Sequence, residues 1–183
     1  MNNENKKNKS KIYLITGGTR SGKSKFAEYI GKKYENLSYI ALSKTNVDDK
    51  NWQKRIKIHK KRRPNNWSLI ETEDLLNVLA NEKNNLLIDS LGGFVMKNLN
   101  INDKKWLTKL KDLIYKLKTF EKDIIIVGEH TGWGLVSEYK IGNLFIDRMG
   151  NIISEITKIS DENWLTINGK AIRLDKIFID IPN

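Results

Sequence analysis

A glycine-rich segment near the start of the chain has the composition of a phosphate-binding loop. It matches the pattern G-x-x-x-x-G-K-[ST] and follows a short apolar run. In such loops, backbone N–H groups surround the phosphates, the lysine offsets their charge and the final hydroxyl binds Mg²⁺. The segment predicts a nucleoside triphosphate site, and an ordinary glycine-rich turn is the alternative. The predicted phosphate-binding residues are Gly17, Gly18, Thr19, Arg20, Ser21, Gly22, Lys23 and Ser24.

An acidic residue at the end of an apolar run is the second candidate. Asp89 directly follows Leu86-Leu87-Ile88. Ligands of open parallel sheets bind at the carboxyl ends of the strands, and an acidic residue there commonly reaches the Mg²⁺ of a bound nucleotide. Asp89 is therefore predicted to bind metal together with Ser24. The alternative role is a cap for the helix that follows.

A histidine within a basic segment is the third candidate. His59 is one of two histidines in the chain and lies among the lysines and arginines of residues 57–63. Cations gather phosphates and lower the pKa of a nearby imidazole, which keeps the ring neutral. A neutral imidazole nitrogen can attack an α-phosphate and expel pyrophosphate. The alternative is an incidental ring at a charged helix end.

The elements that would position these residues follow from the hydrophobic pattern. Apolar, β-branched runs recur along the chain, with helical patterns between most of them. This alternation predicts an α/β fold with a mostly parallel sheet flanked by helices, as in phosphate-loop nucleotide-binding proteins. The predicted strands cover residues 12–16, 37–42, 86–89, 124–127, 164–167 and 177–181.

Three segments have helical spacing of their apolar residues. The clearest covers residues 103–120, with Asp103 as its cap. A second covers residues 48–63, with Asp48 as its cap. Apolar residues between positions 141 and 159 predict one long or broken helix, with Gly150 as a possible kink.

Composition limits the classes of protein to consider. The 183 residues, 39% of them hydrophobic, suit a single domain over residues 11–183, preceded by a disordered basic tail over residues 1–10. Cysteine is absent and no apolar run reaches roughly 20 residues, so we expect a cytoplasmic protein without a membrane span. The net charge of +11 comes from lysines spread along the whole chain. We therefore expect no dedicated nucleic-acid surface.

Several motifs together resemble one family, the bifunctional adenosylcobinamide kinases and adenosylcobinamide-phosphate guanylyltransferases of cobalamin (vitamin B12) biosynthesis. The most discriminating is RIKIHKKRRPNNW at residues 55–67, because phosphate-loop kinases at large do not share it. The others are TGGTRSGKS at the loop, YIAL at residues 39–42, LLIDSLGGFV at residues 86–95 and TGWGLVSE at residues 131–138.

The resemblance implies a kinase and a transferase sharing one nucleotide site. The kinase would phosphorylate adenosylcobinamide. The transferase would pass GMP from GTP to adenosylcobinamide phosphate through a guanylylated His59, giving adenosylcobinamide-GDP. The implied cofactors are GTP, ATP and Mg²⁺, and the implied assembly is a homotrimer. The residues resembling the family's further nucleotide contacts are Lys60, Lys61, Arg62, Arg63, Glu71 and Asp89.

Two departures and several alternatives accompany this resemblance. Many members carry an asparagine and then an acidic residue where this chain has Glu129 and His130, and a cysteine where it has Ser90. Either Glu71 or Asp89 could read guanine, although Asp89 cannot both read the base and bind metal. The competing functions are a simple phosphate-loop kinase without guanylyl transfer, a nucleic-acid-dependent ATPase, and a family member that binds nucleotide without catalysis.

Overall fold

A seven-stranded sheet organises the part of the chain that the computed structural model describes, namely residues 10–42, 63–134, 136–179 and 181. The strand order is β3-β2-β4-β5-β1-β6-β7. Neighbouring strands are parallel except for the antiparallel pair of β6 and β7, which confirms the predicted mostly parallel sheet. The strands are β1 (Ile12–Gly17), β2 (Leu37–Ala41), β3 (Ser68–Glu71), β4 (Asn85–Asp89), β5 (Ile124–Glu129), β6 (Glu162–Ile167) and β7 (Lys170–Arg173).

Helices cover both faces of this sheet. Successive side chains of a strand point to opposite faces, so each strand contributes to two cores. Leu14, Ile88 and Ile126 face one side, where helices α2 to α5 pack. Ile15 and Leu87 face the other side, where α1 packs. The described helices are α1 (Lys23–Gly31), α2 (Leu75–Asn81), α3 (Leu91–Lys97), α4 (Asp103–Thr119) and α5 (Lys140–Thr157), with a short 3-10 helix at Leu174–Lys176.

The register of the parallel strands brings several polar residues to one edge of the sheet. Gly17, at the end of β1, pairs with Glu129 at the end of β5. Ala41, at the end of β2, pairs with Asp89 of β4 on one side and with Glu71 of β3 on the other. Because parallel strands all end at the same edge, the loop after β1 and these carboxylates meet there.

The strand predicted for residues 177–181 is wrong for its described residues. The chain turns through the 3-10 helix, and Ile177, Phe178 and Ile179 then lie outside every strand with exposed side chains. An apolar run alone predicted a strand there, but no neighbouring strand pairs with it. Conversely, β3 and β7 escaped prediction because both are four-residue strands at the two edges of the sheet with largely exposed side chains.

Two helical predictions need correction in detail. The cap of α4 is Asn102, whose Oδ1 accepts the backbone N–H of Lys105 at 3.0 Å, and Asp103 is the first helical residue. Helix α5 runs without interruption through Gly150. The predicted helix over residues 48–63 lies outside the described residues except for Arg63, which is not helical, and most of the predicted basic tail also lies outside them. No helix of the described part is long and apolar enough to span a membrane.

Candidate nucleotide-binding site

The predicted phosphate loop connects β1 to α1. Gly22 precedes the helix with φ +103°, a conformation that side chains rarely adopt. A Cβ at Gly17 would lie 2.5 Å from the Thr166 carbonyl oxygen, so the first glycine permits close contact with β6. The nine-residue helix α1 begins directly after Gly22, so the N–H groups of its first turn and the positive end of its dipole face the loop, which suits bound phosphates.

The β6–β7 hairpin holds the loop from one side. The hydroxyl groups of Ser21 and Thr166 are hydrogen-bonded at 2.8 Å, and the backbone N–H of Gly169 donates to the carbonyl of Ser21 at 3.0 Å. Within the loop, Lys23 Nζ donates to the Gly18 carbonyl at 3.0 Å. The lysine thus lies over the loop in the region where phosphates would bind.

A chain of four side chains links the loop to the neighbouring strands. Ser24 Oγ donates to Asp89 Oδ1 at 3.2 Å, and Tyr39 OH donates to Asp89 Oδ2 at 2.5 Å. The Arg63 guanidinium lies 3.5 Å from the centre of the Tyr39 ring. Burial, followed by the charge of Asp89, raises the pKa of Tyr39, so the phenol stays protonated and donates. Each carboxylate oxygen of Asp89 thus accepts a hydrogen bond from one hydroxyl group, of Ser24 or of Tyr39.

These residues suit a magnesium–nucleotide complex. The hydroxyl of Ser24 and the carboxylate of Asp89 are hard oxygen ligands, and Mg²⁺ commonly takes one or two protein oxygens together with phosphates and water. Among the described residues, no group of three or more His, Cys, Asp or Glu side chains could hold a metal ion by itself.

A partly buried carboxyl group, that of Glu129, lies beside the loop, and the sequence pattern assigned it no role. Glu129 accepts a very short hydrogen bond from the Ser90 hydroxyl and another from the Gly92 N–H at 3.1 Å. Burial raises the pKa of Glu129, although the Ser90 bond and the charge of Lys23 oppose that effect. A Cβ on Gly92 would lie 3.0 Å from Glu129 Oε1, so the absence of a side chain at that position leaves room for the carboxyl group.

The next residue, His130, also lies against the loop. Its backbone N–H donates to the Gly17 carbonyl at 3.0 Å. Its half-buried ring stacks on Trp133, with centroids 4.5 Å apart and planes 9° apart. Burial and then the charge of Lys23 lower the pKa of His130, which favours the neutral imidazole.

The structure brings together part of the predicted site. Ser24, Asp89 and Arg63 are connected through Tyr39, and Lys23 contacts the Gly18 carbonyl within the loop. Glu71 is exposed at the end of β3, two strands from Asp89, which corresponds to about 10 Å. Thr19 and Arg20 are exposed on the loop. The predicted residues His59, Lys60, Lys61 and Arg62 lie outside the described residues.

Sequence reasoning missed Tyr39, Ser90 and Glu129 as parts of this edge. Tyr39 belongs to β2, whose residues are almost all buried, so its ring is an ordinary core group and only its hydroxyl reaches the site. A signal for Glu129 was available, because it ends an apolar run in the same way as Asp89 does. Applying the rule for strand ends to every run would have identified it.

Comparison with known proteins supports the fold. A chain titled as a prototypical ATPase from the type III secretion system of pathogenic bacteria matches with a TM-score of 0.51 and 12% identity, covering 86% of this chain and 51% of that one. At this identity the likeness concerns the fold alone, and it agrees with the predicted phosphate-loop architecture.

Sequence comparison identifies the family. The bifunctional adenosylcobalamin biosynthesis protein CobU of Escherichia coli is 24% identical over 181 residues, covering 89% of this chain and 99% of that protein. Its counterpart from Salmonella typhimurium is 28% identical over 187 residues, with the same coverage. The family described as cobinamide kinase / cobinamide phosphate guanyltransferase matches residues 13–174. The predicted resemblance is thus confirmed, and the chain belongs to the cobinamide kinase / cobinamide phosphate guanyltransferase family.

Proposed function

We propose that this protein phosphorylates adenosylcobinamide and then transfers GMP from GTP to adenosylcobinamide phosphate. The observation that carries the proposal is the family match over residues 13–174, which includes both the phosphate loop and the segment around His59. The contacts among Lys23, Ser24 and Asp89 support it, because they suit a magnesium-bound triphosphate.

In the kinase reaction, the chain mainly binds and positions the nucleotide. The loop amides from Gly17 to Ser24 would bind the phosphates of ATP or GTP, and Lys23 would offset their charge. Ser24 and Asp89 would hold Mg²⁺, which neutralises charge on the β- and γ-phosphates. Tyr39 keeps the Asp89 carboxylate in one orientation through its hydrogen bond.

In the transferase reaction, we propose that His59 is the nucleophile. Its neutral ring nitrogen would bond to the α-phosphorus of GTP while the bond to the leaving pyrophosphate breaks. An oxygen of adenosylcobinamide phosphate would then displace the histidine and take the GMP group. Two displacements at one histidine imply ping-pong kinetics. Lys60, Lys61, Arg62 and Arg63 would supply positive charge for the phosphates.

Asp89 and Glu71, the two carboxylates that could read guanine, can be given different roles. Both oxygens of Asp89 have hydrogen-bond partners within the sheet edge, one of them the Ser24 hydroxyl. We assign the metal to Asp89 for that reason. Glu71 is exposed at the same edge and would accept hydrogen bonds from N1 and N2 of guanine. Glu71→Gln should therefore weaken the preference for GTP over ATP in the transferase reaction.

Incubation with GTP labelled at the α-phosphate tests the transferase. We expect an acid-labile, alkali-stable label on the protein, and intact-mass analysis should show one GMP adduct. His59→Ala should lose the label but retain kinase turnover, whereas Lys23→Ala should lose both. Kinase turnover without any label would favour a simple kinase. Absence of both activities would favour a protein that binds nucleotide without catalysis.

The proposal also includes the setting in which the enzyme works. We propose a cytoplasmic homotrimer, the assembly implied by the family resemblance, with no nucleic-acid partner. Light scattering of the full chain measures the assembly. ATP hydrolysis stimulated by RNA or DNA, with binding that weakens steeply as salt increases, would contradict the absence of a nucleic-acid partner.

A further inference from the structure

We propose that His130 is the general base of the kinase reaction, accepting the proton of the alcohol that receives the γ-phosphoryl group. This inference rests on the proposed kinase function. It assigns a catalytic role to a residue at which the chain departs from the pattern described above for many family members.

The position of β5 places His130 at the reacting end of the triphosphate. Strand β5 lies between β1, which leads into the phosphate loop, and β4, which ends at Asp89. His130 immediately follows β5, and its backbone is bonded to the Gly17 carbonyl at 3.0 Å. The lysine of such a loop reaches the β- and γ-phosphates. Lys23 Nζ bonds the carbonyl of Gly18, which adjoins the Gly17 carbonyl that holds His130, so both residues border the same end of the loop.

The imidazole is available to accept a proton. Within the described part of the chain, neither ring nitrogen of His130 makes a hydrogen bond. Stacking on Trp133 fixes the plane of the ring and leaves its edge, where the nitrogens lie, free of that contact. Burial and the nearby Lys23 ammonium favour the neutral form, which is the form that a general base requires.

The neighbouring carboxyl groups are engaged elsewhere. Glu129, the adjacent residue on β5, accepts hydrogen bonds at both oxygens from Ser90 and Gly92. Asp89 on β4 is bonded by Ser24 and Tyr39. Among these charged and titratable groups around the loop, His130 is therefore the one whose basic atoms remain open to a substrate.

The proposed step balances as an in-line displacement. The alcohol oxygen of the acceptor bonds to the γ-phosphorus of the nucleoside triphosphate, and the bond from that phosphorus to the bridging oxygen of the β-phosphate breaks. The nucleoside diphosphate leaves with that electron pair. The alcohol proton moves to a ring nitrogen of His130 and passes to water after the product leaves.

Single-turnover phosphorylation by the full chain, measured from pH 5 to 8, tests the proposal. The wild-type rate should rise with pH through a value below 6.5, because only the neutral imidazole accepts a proton. His130→Gln and His130→Phe should each lower the plateau rate by about 100-fold or more and remove this pH dependence. The phenylalanine variant keeps an aromatic ring for stacking on Trp133, so the two variants together separate base chemistry from packing.

Labelling by GTP carrying a labelled α-phosphate serves as the internal control. Both His130 variants should still acquire the label, because the proposed nucleophile is His59 and both variants keep the phosphate loop. Rates within twofold of wild type, or a retained pH dependence, would overturn the role of His130 and leave the proposed function intact. Loss of the pH dependence in Glu129→Gln with both His130 variants unaffected would assign the base to Glu129 instead. A wild-type protein with neither activity would overturn the proposed function itself.

Discussion

At the scale of single residues, the nucleotide site depends on a tyrosine that faces the core. Tyr39→Phe keeps the ring under the Arg63 guanidinium but removes the hydrogen bond to Asp89 Oδ2. Because groups that orient a metal ligand typically alter metal affinity 10- to 100-fold, we expect about a tenfold higher Mg²⁺ requirement for kinase turnover. A magnesium titration of turnover measures this effect. Tyr115→Phe is the matched control, because Tyr115 is exposed on α4. An equal Mg²⁺ requirement in the two variants would contradict the prediction.

A second residue-scale prediction concerns the pH dependence of stability. Burial raises the pKa of Glu129 in the folded protein above 4.5, so the folded state holds this proton more tightly than the unfolded chain does. The resulting stabilisation is complete below about pH 4.5 and is lost as pH rises through the raised pKa. The free energy of unfolding of Glu129→Gln should therefore increase relative to wild type between pH 4 and pH 8.

Urea unfolding at a series of pH values measures this difference. Each unit of pKa displacement corresponds to about 1.4 kcal/mol. Glu121→Gln, at an exposed position before β5, is the control and should follow the wild-type pH dependence. If the free energies of unfolding of Glu129→Gln and wild type differed by the same amount at every pH, burial would not favour the neutral carboxyl group.

At the scale of secondary-structure elements, α3 packs directly on the backbone at the end of β2. A Cβ at Gly93 would lie 1.4 Å from the Leu42 carbonyl oxygen, so Gly93→Ala must push α3 away from the sheet. We expect a loss of about 3 kcal/mol in the free energy of unfolding, measured in urea. Nucleotide affinity should also fall, because α3 begins two residues after Asp89.

The matched control for this helix is another helical glycine. Gly150 lies within α5, and a Cβ there would meet nothing within 4 Å. Because alanine favours the helical backbone more than glycine does, Gly150→Ala should stabilise the protein by about 1 kcal/mol. A lower free energy of unfolding for Gly93→Ala and a higher one for Gly150→Ala would support the packing argument. Similar losses in both variants would contradict it.

At the scale of the whole molecule, one buried arginine connects three helical segments. Arg148 on α5 is 3% exposed and donates to the carbonyls of Asn98 at 2.6 Å, Leu99 at 3.2 Å and Ile101 at 2.7 Å. These carbonyls lie between α3 and α4. Arg148→Met would remove the guanidinium donor from all three carbonyls, and we expect a loss of about 3 kcal/mol in the free energy of unfolding.

A surface ion pair provides the comparison for this buried arginine. Lys158 contacts Glu155 at 2.6 Å, but 57% of its side chain is exposed. Because exposed pairs typically contribute at most about 1 kcal/mol, Lys158→Met should change stability by less than that amount. Equal losses for Lys158→Met and Arg148→Met in urea unfolding would contradict the connecting role of Arg148.

Much of the architecture could be predicted from local sequence patterns. The loop motif, the run before it and the helix after it are contiguous, so β1, the loop and α1 need no knowledge of distant contacts. Buried parallel strands are apolar throughout, so the central strands could be predicted from their apolar runs. Edge strands lack that signal, and β7 was therefore missed. The run at residues 177–181 carries the same signal, yet its described residues form no strand because no neighbour pairs with them.

The sequence by itself determined the phosphate loop, the mostly parallel α/β class and the family, because each depends on residue types at short, fixed spacings. Only the tertiary structure decided that Asp89 lies between Ser24 and Tyr39, and that Glu129 and His130 lie beside the loop. Those contacts join residues more than 40 positions apart. The order and register of the strands bring them together, and no local pattern in the chain specifies which strand ends become neighbours.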